Sequence, residues 1–514
     1  MSAASVIIVF AIAAYLILMI VIGVIYSRKN AGGSSDFFLG GRRLSPLVAA
    51  MSAEASDMSS WLLMGLPGVA YMTGCADAAW TAIGLAVGTY LNWLLVAKRL
   101  RVYSEQIGAI TVPQFISARF NDGKQLLRGI AAAIIIVFFV PYTASGFAAV
   151  GKLFNSLFGF DYQLAMIVGA AVIILYTILG GFLAVSVTDL IQSIVMTVAL
   201  AAVLIFGVRT AGGLDAVITN ADKVAGYLSL TNMGNVVTGV SSPYGFLTII
   251  STMAWGLGYF GMPHILLRFM GIRSASEIKT ARRIGSVWVV ISMGVAIFIG
   301  ITAYAMTNAG AIPVFETQSA AESAIVKIAD TLSTHGAGAA LLAGLVLAGI
   351  LASTMSTSDS QLLAASSSVS EDLIQGVFGI RLSKRAAMLA ARLTVVAVSV
   401  LAVIIARDPD SSVFNIVSFS WAGFGATFAP VMLLALFWKR ATKPGAVAGM
   451  LTGGAMVFIW KYLLKPIGGV WGIYELLPAF LLALIVNVTV SLASQKPEEE
   501  TVSVFEKVRS VIKG

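Results

Sequence analysis

The sequence predicts an all-α polytopic membrane protein with thirteen transmembrane helices. Of its 514 residues, 58% are hydrophobic and only 11% are charged, which is not typical of a soluble globular protein of this size. Residues 6–26 contain no charge at all. At the helical rise, such a stretch reaches about 31 Å, which is the thickness of the hydrocarbon core of a bilayer. This first stretch, within 1–26, is therefore predicted to be a full span.

Similar apolar runs recur along the rest of the chain and bring the predicted number of spans to thirteen. These runs cover residues 44–73, 75–97, 127–155, 162–183, 187–210, 243–265, 284–308, 336–366, 387–406, 413–437, 444–463 and 471–493. The last two spans form a C-terminal pair within 444–493. The remaining residues, 494–514, are predicted to be a cytoplasmic tail, either amphipathic or disordered.

The distribution of basic residues predicts the orientation. If the spans alternate from an external N-terminus, all but seven of the 33 lysines and arginines fall on one side. Examples on that side are Arg28, Lys29, Arg282, Lys384 and Arg385, and the exceptions are Lys152, Arg209, Lys223, Lys327, Arg407, Lys461 and Lys465. The positive-inside rule makes the basic side cytoplasmic. The protein is therefore predicted to lie in the cell membrane with its N-terminus outside and its C-terminus in the cytoplasm. The net charge of +9 then reflects topology and contact with the lipid bilayer, and no nucleic-acid partner is expected.

Two of the predicted spans contain residues that a membrane helix normally avoids. The stretch "SAEASDMSSWLLMGLPG", 52–68, places Glu54 and Asp57 beside four serines and a Gly/Pro interruption, and "WGLGYFGMPH", 255–264, concentrates three glycines and a proline. Polar or irregular backbone at this depth is tolerated only inside protein or beside a water-filled cavity. Each interruption is therefore a candidate site.

The positions of the two interruptions predict an inverted repeat. Without span 1, residues 44–210 and 243–437 each hold five spans, and the interrupted helix comes first in both. Because five is odd, the two sets cross the membrane in opposite directions, which indicates a secondary-transporter core with substrate near the midplane. The alternative is a pair of ordinary kinked helices that pack through small residues.

Two further polar features lie in the apolar spans. Ser353, Ser356, Thr357 and Ser360 are spaced so that their hydroxyls share one helix face. Hydroxyl and carbonyl oxygens favour an alkali cation, sodium above all, although such a stripe can also serve helix packing. Asp189 follows a double glycine at the predicted junction of spans 5 and 6; the alternative is that Thr188 or Asp189 is only a helix N-cap.

Five stretches together closely resemble the sodium/solute symporter family and, within it, the bacterial sodium/proline symporters. They are "SAEASDMSSWLLMGLPG", "GGFLAVSVTDLIQ", "MAWGLGYFGMPHILLRFM", "ILASTMSTSDSQLL" and "SWAGFGATFAPVMLLALFWKR". The resemblance extends over residues 5–493 and implies a LeuT-like inverted five-plus-five helix core. It departs from some relatives at Glu54 and Ser60, where they have glycine.

The resemblance also implies a set of ligands. Sodium would be bound by the carbonyls of Ala55, Met58 and Ser353 and the hydroxyls of Ser356 and Thr357. Asp57 and Asp189 match family acids linked to sodium use, and a second sodium position at Asp189 is left open. The substrate would be surrounded by Ser59, Trp61, Tyr142, Trp255, Tyr259 and Pro263. For Trp255 and Tyr259 the alternative is a lipid-interface aromatic belt, and His264 is interpreted as structural.

The expected function is sodium-coupled uptake of L-proline by alternating access, with sodium as the co-transported ion. A monomer would be sufficient for this transport. The alternatives are a symporter for another amino acid, pantothenate or a sugar, or a ligand sensor that retains the transporter fold. An enzyme is not expected, because no nucleophile, base and metal set converges in the sequence.

Overall fold

The computed structural model describes residues 2–27 and 34–513, and within them the chain is almost entirely helical. Arg28 and Lys29 lie outside the described residues. The helices used below are α1 (Ala3–Ser27), α2 (Pro46–Asp57), α3 (Leu66–Thr73), α4 (Cys75–Leu91), α5 (Leu126–Phe158), α6 (Tyr162–Leu179), α7 (Phe182–Thr210), α8 (Phe246–Met253), α9 (Pro263–Gly271), α10 (Ile278–Asn308), α11 (Ala337–Ser367), α12 (Lys384–Ile405), α13 (Val413–Phe437), α14 (Lys443–Ile459), α15 (Leu476–Ala493) and α16 (Glu499–Lys513).

In the described part of the chain, ten helices are long and apolar enough to cross a membrane. Three shorter apolar helices, Trp61–Thr73, Tyr162–Ile178 and Phe246–Gly261, coincide with the other predicted spans. The protein is thus a multi-pass helical membrane protein, as predicted, while the number of spans stays a prediction. One predicted boundary is wrong: α6 ends at Leu179 and α7 begins at Phe182, because Gly180 and Gly181 with extended backbone separate them.

Shorter helices connect the long ones. They are Ser34–Leu39, Val112–Arg119, Leu214–Asp222, Gln318–Ala321 and Ala324–Ser333. Lys98–Gln106 instead continues α4 through the π-helical turn Asn92–Ala97. Strands Asn232–Met233 and Ser242–Pro243 pair antiparallel, and a single parallel bridge joins Leu44 to Ile272 just outside the ends of α2 and α9.

Helix α11 lies at the centre of the bundle, where it contacts α1, α2, α5 and α7. Its residues from Val346 to Ser367 are buried, so its hydroxyl-rich face is enclosed by protein and not by lipid. Because α2 ends against this helix, the first interruption and the hydroxyl stripe are brought to the same depth.

The tail folds as helix α16 and packs on the protein. Phe505 is buried with its ring centroid 6.5 Å from that of Tyr103, and Lys439 Nζ lies 3.3 Å from Glu506 Oε1. Of the two predicted forms of the tail, the amphipathic helix is therefore the one observed.

Candidate functional site

The first interruption is a true break of the helix. Helix α2 ends at Asp57, and Met58 leaves helical geometry with a ψ of 67°. The Ser59 amide donates to the Asp57 carbonyl at 2.7 Å, whereas a continuing helix would direct it to Ala55. Serine and aspartate favour such local bonds over helical ones. The Ala55 carbonyl is consequently free to bond elsewhere.

Four of the five predicted sodium ligands meet at this freed carbonyl. The Ser356 hydroxyl donates to the Ala55 carbonyl at 2.8 Å, and the Thr357 Oγ1 lies 3.5 Å from the same oxygen. The Ser356 Oγ also lies 3.2 Å from the Ser353 carbonyl. All of these residues are buried. Because a hydroxyl can turn its lone pairs toward a cation, the cluster offers oxygen ligands from both α2 and α11.

The remaining predicted ligand, the Met58 carbonyl, lies in the break itself. The Leu62 amide, its partner in a continuing helix, donates instead to the Ser59 carbonyl at 3.0 Å. Back-bonding within the helix, which the packing interpretation requires, holds for two hydroxyls of the stripe: Ser353 Oγ donates to the Ile350 carbonyl at 2.8 Å, and Ser356 Oγ lies 3.2 Å from the Ser353 carbonyl. The Ser353 carbonyl, which is the predicted ligand, stays directed at Ser356.

The second interruption is equally pronounced. Residues Ala254–Gly261 form a 3₁₀ helix, and Met262 is extended with a ψ of 109° before Pro263 begins α9. Glycine is a poor helix former, and a residue before proline avoids the α region. Close packing contributes as well, since a side chain at Gly258 would collide with the Trp421 indole. Both interruptions therefore extend over several residues, and the alternative of two ordinary kinked helices is not supported.

An aromatic cluster joins the two interruptions. The ring centroids of Trp61 and Trp255 lie 6.1 Å apart, and the Tyr259 hydroxyl donates to Asp57 Oδ2. All of these side chains are at most 3% exposed. The alternative of a lipid-interface aromatic belt is therefore wrong for Trp255 and Tyr259.

Asp57 is the point where these contacts meet. Its carbonyl accepts from the Trp61 indole at 3.0 Å and lies 3.4 Å from the Tyr142 hydroxyl. Its Oδ1 is buried without a hydrogen-bond partner. The helix that restarts after the break begins behind Ser60 with no side-chain cap. Asp57 therefore does not cap this helix.

Two other predicted substrate residues, Ser59 and Pro263, lie at the two interruptions. Ser59 is buried in the break, where its Oγ lies 3.4 Å from the Trp61 amide. Pro263 is buried at the first turn of α9. The ring of the neighbouring His264 packs between Phe139 and Tyr142, at centroid distances of 5.6 and 6.3 Å, so its interpretation as a structural residue fits the packing.

Three aromatic residues of this cluster were missed from the sequence. Trp421 donates its indole N–H to the Trp255 carbonyl at 2.7 Å, and the rings of Phe414 and Tyr474 each lie 5.3 Å from that of Trp255. Trp421 lies in one of the five motif stretches, which could have identified it. Phe414 and Tyr474 lie in separate parts of the chain, and no local pattern connects them to Trp255.

A buried carboxylate fixes one wall of the cluster. Glu322 accepts from the Ser412 hydroxyl at 2.7 Å and from the amides of Val413 and Phe414 at 2.9 and 3.0 Å. Lys152 Nζ lies 2.7 Å from the same carboxylate. Glu322 thus satisfies the free N–H groups at the start of α13 and holds Phe414 against Trp255.

Asp189 is not near a helix start, as the N-cap alternative required, because α7 begins seven residues earlier at Phe182. It is fully buried, and its Oδ2 accepts from the Ser52 hydroxyl at 2.6 Å and from Arg268 at 3.2 Å. Arg268 also donates to the Ser360 hydroxyl at 2.5 Å. The network joins α2, α7, α9 and α11 on the side of the sodium-ligand cluster opposite to Phe414.

Replacing Arg268 with glutamine is expected to destabilise the folded protein by about 3–5 kcal/mol, because it leaves the Asp189 carboxylate buried without its cation. Thermal unfolding of the purified variant in detergent measures this. Arg273→Gln is the matched control, since Arg273 forms an exposed pair with Glu277, and such pairs contribute about 0–1 kcal/mol. Equal melting temperatures for the two variants would contradict the prediction.

Comparisons with known proteins relate the chain to sodium-coupled symporters. A model of the sodium:solute symporter family matches residues 37–453. A sodium/proline symporter of Staphylococcus aureus is 40% identical over 509 residues, covering 98% of this chain and 96% of the relative. Among solved structures, a Na⁺-coupled sialic acid symporter matches with a TM-score of 0.77 at 20% identity, over 96% of this chain and 99% of that one. A nucleobase-cation-symport-1 family transporter matches with a TM-score of 0.52 at 12% identity, over 93% and 99% of the two chains.

Proposed function

The chain belongs to the sodium:solute symporter family, and we propose that it is a sodium-coupled importer of L-proline. It is a transporter and not an enzyme. One observation carries the proposal: the break after α2 supplies both the freed carbonyl of the sodium-ligand cluster and the Asp57–Trp61 side of the aromatic cluster. An ion and a solute bound there would each stabilise the same turn, which is what coupling requires.

The oxygen cluster supports sodium as the co-transported ion. Uncharged carbonyl and hydroxyl oxygens from α2 and α11 suit a hard monovalent cation better than a divalent one, which generally takes carboxylate ligands. Because the ligands come from two different helices, bound sodium would hold α2 against α11. We propose Ala55, Met58, Ser353, Ser356 and Thr357 as the ligands, with Asp57 and Asp189 influencing sodium binding electrostatically.

The aromatic cluster supports proline as the solute. The ring of proline needs apolar walls, and its ammonium can lie over an aromatic face such as those of Trp61 and Trp255. Its carboxylate is attracted to the positive ends of the half-helices that restart at Trp61 and Pro263. The relatives named as sodium/proline symporters, 40% identical over nearly the whole chain, support the same choice.

We propose that the membrane architecture is the one predicted from the sequence. Thirteen spans with the N-terminus outside and the C-terminus in the cytoplasm would place residues 44–210 and 243–437 as inverted repeats. The broken helices α2–α3 and α8–α9 would then be equivalent first members of the two repeats. Short apolar helices account for the three spans that are not long enough by themselves.

The two buried carboxylate networks suggest how access alternates. Glu322 holds Phe414 on one side of the aromatic cluster, and Asp189 holds Arg268 on the other. In the proposed orientation the first faces outward and the second faces the cytoplasm. Opening on either side would break one network while the other stays formed.

The energetics allow strong accumulation. One sodium ion moving inward across ~100 mV releases ~2.3 kcal/mol, and a tenfold sodium gradient adds ~1.4 kcal/mol. Because proline is a zwitterion, voltage does not oppose its entry. The sum sustains a proline gradient of roughly several hundredfold.

Binding of labelled L-proline to the purified protein, with and without sodium, tests the substrate. We expect binding that needs sodium and that excess unlabelled proline abolishes, while pantothenate, glucose and alanine at the same concentration do not. Displacement by one of the latter would contradict proline and identify the alternative solute.

Replacing Trp255 with alanine is expected to weaken proline binding about tenfold or more, because an aromatic wall of this size contributes well over 1.4 kcal/mol when fully buried. Sodium binding measured without proline should change much less. Trp460→Ala is the matched control, since Trp460 is also buried and donates its indole N–H to a carbonyl, that of Trp471, in the C-terminal helices. Proline affinity that survives Trp255→Ala would remove this cluster from the binding site.

A further inference from the structure

The loop before α12 exposes apolar side chains that a water-facing loop would not keep. Phe378 is 67% exposed and Ile380 is 53% exposed, and both lie within a few residues of Arg381 and Lys384. Apolar and basic side chains that alternate in this way are typical of a segment at the membrane–water interface.

The first turns of α12 form a basic groove beside this loop. Lys384, Arg385 and Arg392, with Met388 and Leu389 of the same helix, line a shallow cavity of about 320 Å³. The three cations are exposed. Within residues 2–27 and 34–513, none of these side chains has a hydrogen bond or an ion pair, so three positive charges in the first turns of one helix have no anionic partner.

The groove lies where the apolar surface of α12 begins. Beyond Arg392 the exposed residues of this helix are all apolar, namely Leu393, Val396, Ala397, Val400, Leu401, Ile404 and Ile405. This surface must face lipid tails in a multi-pass membrane protein. The cations are therefore at the level of the lipid phosphates, on the side that carries most of the lysines and arginines.

We propose that this groove binds the headgroup of an anionic phospholipid of the cytoplasmic leaflet. Lys384, Arg385 and Arg392 would contact the phosphate and its anionic headgroup, while the acyl chains would lie along Leu389 and Leu393. The positive end of the α12 dipole adds to the attraction. Clusters of lysine and arginine at the cytoplasmic end of a span attract such lipids.

The surrounding residues favour a lipid over a soluble anion. A free phosphate would satisfy the three cations but would leave Phe378, Ile380 and Leu389 exposed to water. A phospholipid covers both kinds of surface at once, because its charged and apolar parts are joined at the same depth. The polar and apolar halves of the groove are thus explained by one ligand.

The bound lipid would also lie next to a segment that connects several helices. The groove adjoins the π-helical segment Ser368–Val377, in which Asp372 Oδ1 lies 2.8 Å from Arg128 Nε and 2.9 Å from the Thr111 hydroxyl. Through these contacts, α12 is connected to the loop helix Val112–Arg119 and to α5. Lipid binding would thus stabilise the start of α12 and the π-helical segment that follows α11.

Spin-labelled phosphatidylglycerol in nanodiscs of phosphatidylcholine tests the site. We expect the purified protein to immobilise this lipid in preference to spin-labelled phosphatidylcholine. The triple variant Lys384→Gln, Arg385→Gln and Arg392→Gln should lose about tenfold or more of this preference, since each charge near the surface contributes a few-fold. The single variant Arg392→Gln should lose part of it, which guards against misfolding of the triple variant.

The matched control removes the same charge elsewhere. Lys124, Lys279 and Lys496 are exposed, and the triple replacement of these three by glutamine should keep the lipid preference. Equal loss in both triple variants, or no loss in the groove variant, would overturn the proposal. Displacement of the lipid by millimolar inorganic phosphate would also overturn it, because the site would then belong to a soluble anion.

Discussion

Replacing Asp57 with asparagine is expected to lower sodium-driven proline uptake about a hundredfold at low sodium. The carboxylate lies two residues beyond the Ala55 carbonyl that Ser356 contacts, and it is buried. Two unit charges ~6 Å apart interact by about 3 kcal/mol at an effective dielectric of ~20, which is about a hundredfold in sodium affinity. Asparagine keeps the shape and can still accept from Tyr259, so the charge is the property removed.

The sodium concentration for half-maximal uptake, compared at equal amounts of inserted protein, measures this effect. Asp57→Glu should retain part of the activity, because glutamate keeps the charge on a longer side chain. Asp77→Asn is the matched control: Asp77 likewise accepts from a tyrosine hydroxyl, that of Tyr244 at 2.8 Å, but lies outside the site. Normal sodium dependence in Asp57→Asn would show that the charge is irrelevant.

Replacing Ser356 with alanine is expected to raise the half-maximal sodium concentration about tenfold or more. The substitution removes an oxygen that contacts both α2 and α11, and a bond to a charged group contributes about 1.5–3 kcal/mol. Thr357→Ala should act in the same direction and more weakly, because the Thr357 Oγ1 is farther from the Ala55 carbonyl. Sodium titration of proline binding measures both variants.

Ser366→Ala is the control for these two variants. Ser366 lies on the same helix and is buried, but its hydroxyl donates only to Leu363 in the preceding turn. If Ser366→Ala altered sodium dependence as much as Ser356→Ala, the effect would come from the helix in general. If neither Ser356→Ala nor Thr357→Ala changed it, the ligand assignment would be wrong.

Features encoded by local chemistry could be predicted from the sequence. The break after Asp57 follows from the serines that compete with the helix backbone, and the break before Pro263 follows from three glycines and a proline. The hydroxyl face of α11 follows from helical spacing. Because membrane depth penalises each of these features, they indicated the site before any contact was known.

Partners that are distant in the chain could not be predicted in this way. Arg268 lies 79 residues from Asp189, and Trp421 lies 166 residues from Trp255. No periodicity relates them, since their contacts depend on how whole helices pack. Arg268 follows the apolar run 243–265, so hydropathy does not indicate that it is buried. The predicted start of α7, at residue 187, is wrong because hydropathy alone does not identify the double glycine as the end of one helix and the start of the next.

Uptake of radiolabelled L-proline into proteoliposomes of the purified protein tests the coupling of sodium to proline most directly. With an inward sodium gradient, we predict accumulation well above the external concentration, which collapses when a sodium ionophore is added. With sodium equal on both sides and no membrane potential, the internal concentration should only approach the external one. Proline accumulation that is independent of the sodium gradient, or no proline uptake by correctly inserted protein, would contradict the proposed function.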